Sequence, residues 1–136
     1  MNRKVLTGLL TIAMTLALSG SVFPMNAGLS AKIPFDFYVG AERMNSGTYT
    51  VQRLTESVLV VASTDNQHRV AILSNAAFRR VNAKGSTLTF NHYADAYFLS
   101  EVSWEGGTAR SLPPTKLEIE VAKNTHAPKA IEISAR

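Results

Sequence analysis

Residues able to do chemistry are few in this chain, and none is spaced for it. There are three histidines (His68, His92 and His126) and no cysteine. No two histidines stand four apart, and no H-E-x-x-H run is present, so no zinc site is written in the sequence. A serine nucleophile needs a base and an oxyanion hole. Ser100, Ser103 and Ser111 are available, but no G-x-S-x-G elbow surrounds them. A hydrolytic site acting on extracellular polymer would have to draw on His92, Asp95 and Glu101. Glu101 and Glu105 flank Trp104, which suits a sugar ring, but Trp104 is in phase with Phe98 and Val102 and reads as core or core-rim. The lack of cysteine excludes disulfides, thiolate metal sites and an acylated-cysteine anchor. No catalytic residue, metal ligand or cofactor is assigned.

The candidates for ligand binding are Tyr93, Tyr97, His92 and Asp95. Tyr93 and Tyr97 are expected to face outward and oppose each other across two strands. Two adjacent rings would make a flat platform for a sugar or a partner. The plainer reading is a cross-strand pair worth about 0.2–1 kcal/mol to the hairpin. His92 is expected at the rim of the core, bonded to Tyr97 or to backbone. Arg79 and Arg80 with Lys84 form a basic cluster, read as a solvated turn.

The elements that position these groups begin after a leader. Arg3 and Lys4 precede an apolar run, Val5–Leu18, followed by the small residues Ser19, Gly20 and Ser21. That layout is expected of a secretory signal peptide. The run of 14 residues is short of the roughly 20 needed to span a bilayer. Ala17 and Ser19 fit cleavage after Ser19; sites near Ala27 or Ala31 also fit. An uncleaved anchor is disfavoured because Gly20 and Pro24 interrupt the apolar stretch. Residues 1–31 are therefore read as signal peptide and leader remnant, and 32–136 as a single β-rich domain with helix and tail in 113–136. The whole chain carries 14 Lys and Arg against 10 Asp and Glu; without Arg3 and Lys4 the excess falls from +4 to +2. That is too weak a charge for nucleic acid. No membrane span remains after cleavage.

Lys32–Val39 alternates strictly, with Ile33, Phe35, Phe37 and Val39 on one face. Thr48–Leu54, Val58–Ser63 and His68–Ser74 follow as strands, the last two forming a hairpin across Thr64–Gln67 and both read as central. A short strand at Phe78–Val81 precedes the best hairpin, Ser86–Tyr93 with Tyr97–Trp104. Its core faces coincide only across an odd connection, so a three-residue turn at Ala94–Ala96 is expected, placing Tyr93 opposite Tyr97 and His92 opposite Phe98. Thr115 and Glu118 have capping-box spacing, favouring a short helix to Lys123 over a strand. Ala130–Ser134 closes the chain as a strand. The whole predicts an all-β fold: an antiparallel sandwich or small barrel of about 7–8 strands.

Ile33-Pro34-Phe35-Asp36-Phe37-Tyr38-Val39-Gly40, then Gly47-Thr48-Tyr49-Thr50-Val51, resembles a pattern V-P-F-D-F-x-V-G followed by L-P-A-G-x-Y-x-V. That pattern belongs to small exported proteins of unknown function, abundant in soil bacteria of the acidobacterial type. The run His92-Tyr93-Ala94-Asp95-Ala96-Tyr97-Phe98-Leu99-Ser100-Glu101-Val102 and Ser111-Leu112-Pro113 are similar to theirs as well. The chain departs from the pattern at Met44-Asn45-Ser46, where Leu-Pro-Ala is usual. The resemblance implies export and a β-rich single domain, and brings no catalytic residue. The expected function is a non-enzymatic exported β-domain with a binding or structural role in the envelope or outside the cell. Its partner would be an envelope polysaccharide or another exported protein. The alternatives are a hydrolase of extracellular polymer and a carrier of small apolar ligands.

Overall fold

The computed structural model describes residues 28–78 and 85–136. The apolar run Val5–Leu18 and the Arg79, Arg80 and Lys84 cluster lie outside them. Burial alternates along the first stretch: Leu29, Ala31, Ile33, Phe37 and Val39 are buried while Ser30, Lys32, Pro34 and Asp36 are exposed. The alternation is as the sequence implies, yet the strand is two. β1 (Leu29–Ile33) and β2 (Phe37–Val39) belong to different sheets. Pro34 has no N–H to give either ladder, and the chain changes sheets there. β1 also starts earlier than residue 32, and Leu29 and Ala31 are part of the core.

The first sheet has the order β1-β4-β5-β6, all antiparallel, with β4 (Gly47–Arg53), β5 (Val58–Ser63) and β6 (Arg69–Leu73). Tyr49, Val51, Leu59 and Val61 point from it into the core. β5 is central as expected, but β6 is an edge, and its Leu73 is 68% exposed. An apolar run on both faces does not fix a place in the sheet when small Ala71 occupies the outer face.

The second sheet has the order β11-β8-β9-β10-β7: β7 (Asn75–Phe78), β8 (Ser86–Tyr93), β9 (Ala96–Ser103), β10 (Thr108–Ser111) and β11 (Lys129–Ala135). β2 adds to β9 through one parallel bridge, Tyr38↔Phe98, and carries β3 (Glu42–Met44) on its far side. The turn between β2 and β3 needs Gly40. Its φ is +62°, and a Cβ there would sit 3.0 Å from Ile72 Cδ1. Met44 plugs the core beneath this hairpin.

The β8–β9 hairpin meets the parity requirement by a different device. Its turn has two residues, Ala94 and Asp95, with Tyr93 opposite Ala96, His92 opposite Tyr97 and Asn91 opposite Phe98. Between Phe90↔Leu99 and Thr89↔Glu101 the register shifts by one, leaving Ser100 as an extra residue. The bulge restores Leu88 opposite Val102 in the core. It also puts Phe98 on the outer face rather than with Val102, where the sequence had placed it.

Two corners join the sheets. Ser30 N–H donates to Arg136 O (2.7 Å) and Arg136 N–H to Ser30 O (2.9 Å), tying β1 to the end of β11. Opposite, β6 runs into β7 through buried Ser74, where the buried Arg110 donates from Nε to Ser74 Oγ (3.0 Å) and from Nη2 to its carbonyl (2.5 Å). The fold is an all-β sandwich with one helix near its C-terminus, not a closed barrel. Its strands are more numerous than expected because breaks and bulges divide them.

That helix, α1 (Lys116–Lys123), is capped by Thr115, whose Oγ1 accepts from Glu118 N–H at 3.3 Å. It lies against the outer face of β8. Glu118 turns inward and is only 6% exposed, while Leu117 and Ile119 face solvent. Oε1 of Glu118 accepts from Asn91 Nδ2 (3.0 Å) and from the Tyr93 hydroxyl (3.1 Å). The expected capping box is half formed: the carboxylate serves the sheet instead of the cap.

Candidate functional site

The outward-facing residues of β2, the β8–β9 turn and the C-terminal end of α1 meet at one end of the sandwich. They enclose an open cleft of about 430 Å³ lined by Asp36, Tyr38 and Arg43, by Tyr93 through Tyr97, and by Val121 and Thr125. Each wall has a local cause. Asp36 and Tyr38 are the even positions of an alternating strand whose odd positions are in the core. The β8–β9 turn projects because Ala94 adopts φ +49°, which closes a two-residue connection. Val121 and Thr125 arrive with α1, held there by Glu118.

Charge in the cleft is paired on one side and open on the other. Arg43 Nη2 lies 3.2 Å from Asp36 Oδ2, and Asp36 Oδ1 accepts from Ser46 N–H at 2.8 Å. Both ion-pair partners are well exposed, so the pair adds at most about 1 kcal/mol to stability. Its effect is to hold a carboxylate and a guanidinium side by side. Asp95 stands exposed at the turn opposite. The aromatic members are fixed by rings: Tyr38 stacks on Phe98 (centroids 4.9 Å apart), and Tyr93 meets Phe98 edge-on at 5.8 Å. Burial, then the charge and hydrogen bond of Glu118, push the Tyr93 hydroxyl pKa above its usual value.

Three of the four expected binding residues, Tyr93, Tyr97 and Asp95, line this cleft, but not in the arrangement read from the sequence. There is no Tyr93–Tyr97 platform. The shorter turn moves the register by one, so Tyr93 faces Ala96 and is 7% exposed. Tyr97 pairs instead with His92, and its ring is sandwiched between His92 (4.0 Å) and Phe35 (3.8 Å) in near-parallel stacks. His92 is a rim residue as expected, but stacked on Tyr97 rather than bonded to it, and it does not line the cleft. Asp36, Tyr38 and Arg43 were not singled out in the sequence. For Asp36 and Tyr38 the signal was present in their phase, opposite to the core positions.

The hydrolytic trio is not brought together. Of His92, Asp95 and Glu101, only Asp95 lines the cleft. Glu101 lies beyond the bulge, opposite Thr89 and Ser111, roughly 20 Å along β9 from the turn at about 3.3 Å per residue. Among the described residues no three His, Asp or Glu side chains are grouped to hold a metal ion, and no helix is long and apolar enough to cross a membrane. Between the sheets Phe37 and Phe90 meet edge-on at 5.4 Å with Phe35 against Phe90 at 5.1 Å. No family model, curated protein or solved structure matches the chain.

Proposed function

We propose that this is an exported, non-enzymatic domain that binds a polysaccharide of the cell envelope or its surroundings through the cleft at the end of the sandwich. Export is supported by the order of basic, apolar and small residues at the start of the chain. Binding is supported by one observation: three tyrosines, two carboxylates and a guanidinium converge on about 430 Å³ of open space. That volume is within the usual range of small-molecule sites, about 300–1,000 Å³. Tyr38, stacked on Phe98 by one face, can offer the other to the C–H side of a sugar, and the Asp36–Arg43 pair and Asp95 offer acceptors and donors to its hydroxyls. The segments that carry the family resemblance, Ile33–Gly40 and His92–Val102, supply facing walls of this one cleft. Another exported protein is the second candidate partner, supported by the exposed Leu117 and Ile119 on α1.

The test is co-sedimentation of the purified protein with insoluble peptidoglycan, cellulose and chitin. Retention by at least one, weakened about tenfold or more by Asp95→Ala and by Arg43→Ala, is the expected result. Retention by none, or retention indifferent to both substitutions, overturns the proposal.

A further inference from the structure

A hydrogen bond links the cleft at Asp36 to a second depression. The same carboxylate that pairs with Arg43 accepts from Ser46 N–H, and Ser46 lines a second open depression of about 280 Å³ shared with Thr48, Ser63, Asp65, Gln67 and His68. Tyr49 packs under the junction. Its hydroxyl donates to Asn45 O at 2.6 Å, which holds the turn between β3 and β4. The charges of Asp65 and Asp36 both reach Tyr49 and, after burial, raise its pKa. The far wall of the depression is an ordered turn. The Ser63 hydroxyl donates to Asp65, Gln67 N–H donates to Asp65 Oδ1 (3.0 Å), and His68 N–H donates to Ser63 Oγ (3.1 Å). The bonds from the Ser63 hydroxyl and from Gln67 N–H lower the Asp65 carboxyl below its usual value. Gln67 and His68 are left exposed at the opening.

We infer that the two depressions form one groove whose ligand is a chain of neutral sugar units. This rests on the polysaccharide reading above and extends it. The lining is mostly hydroxyls, amides and carboxylates carried on turns. A peptide would use a long free strand edge and side-chain pockets, whereas the strand bordering the groove, β3, has three residues. Asp36, Asp65 and Asp95 outnumber Arg43, so a chain of uronic acids is repelled while a neutral chain is not. The preformed turns limit the ordering cost of binding.

The experiment is calorimetric titration of the purified protein with β-1,4-linked glucose and N-acetylglucosamine oligomers of increasing length, and with an oligogalacturonate. Affinity should rise about tenfold or more from the dimer to the longer oligomers, with no binding of the oligogalacturonate. Gln67→Ala and His68→Ala, both at exposed positions, should weaken only the longer oligomers, while Asp95→Ala weakens all. Length-independent binding, or silence of both turn variants, overturns the extended groove and leaves the first cleft standing. Binding of none of the neutral oligomers overturns the polysaccharide reading itself.

Discussion

Replacing Glu118 tests how the helix that walls the cleft is held. The carboxylate is 6% exposed and its Oε1 receives both Asn91 Nδ2 and the Tyr93 hydroxyl. Hydrogen bonds to a charged acceptor contribute about 1.5–3 kcal/mol each, and a donor stranded in the interior costs about 1–3 kcal/mol. Asn91 is only part-buried, so water can replace one of the two bonds; Tyr93 is nearly sealed. Glu118→Ala should therefore cost about 2–4 kcal/mol, a large share of the roughly 5–15 kcal/mol typical of a domain. Glu118→Gln keeps an oxygen acceptor in place and should cost no more than about 1.5 kcal/mol. Urea unfolding followed by the fluorescence of Trp104, which packs on the core, measures the global loss. Amide exchange in α1 measures local release of the helix. Coupling between Glu118→Ala and Tyr93→Phe in a double-mutant cycle should be about 1–2 kcal/mol. If Glu118→Ala changes neither the midpoint nor the exchange of α1, or if Gln costs as much as Ala, the carboxylate does not hold the helix.

Other expectations concern pH, the bulge and the N-terminus. Because Tyr49 and Tyr93 have pKa values raised above 10.0 in the folded state, stability should fall as pH rises past about 10 toward those higher values. In an alkaline absorbance titration Tyr49→Phe and Tyr93→Phe should each remove late-ionising signal, and an unchanged curve would refute their burial. Deleting Ser100 removes the bulge yet leaves Phe90 opposite Leu99, Thr89 opposite Glu101 and Leu88 opposite Val102 in alternating phase. The deletion should keep the fold and lose about 1–3 kcal/mol with the Ser100 bonds to Thr89 and Leu112. Ser100→Ala, which loses only the hydroxyl bond to Thr89 O at 3.0 Å, should lose about 0.5–1.5 kcal/mol by chemical denaturation. A chain begun at Lys32 lacks buried Leu29 and Ala31 and the Ser30–Arg136 bonds. It should be at least about 3 kcal/mol less stable than one begun at Gly28, and cleavage of the proposed leader, read by N-terminal sequencing, should fall before Leu29.

The sandwich was legible where period two ran uninterrupted, as at Thr48–Arg53, and where an unbroken apolar run marked a strand covered on both faces, as at Val58–Ser63, because both are local properties of a strand. Thr115 with Glu118 marked the helix for a similar reason. Legibility failed where the deciding contact was distant. Strand β10 contains Ala109, which is buried, and Arg110, whose charge gives no strand signal and whose partner Ser74 is far along the chain. The bulge at Ser100 was invisible for another reason. A three-residue turn and a two-residue turn with one bulged residue satisfy the same parity, and only the second puts Phe98 under α1 and Tyr97 against His92. Tyr93, Tyr97 and Asp95 were thus legible as neighbours of one turn, while their geometry was not. Glu118 was read as a cap because capping is a sequence-local pattern, whereas the inward turn of its side chain depends on Asn91 and Tyr93 across the sheet.

The most direct measurement is an amide-shift map of the isotope-labelled protein during titration with a neutral β-1,4 oligosaccharide. A sugar seated at the sandwich end predicts the largest changes at Asp36, Arg43, Asp95 and Tyr97, with the outer face of the first sheet, around Val60, Ala71 and Leu73, unmoved. Changes centred on that outer face, or none at the four cleft residues at saturating sugar, would contradict it.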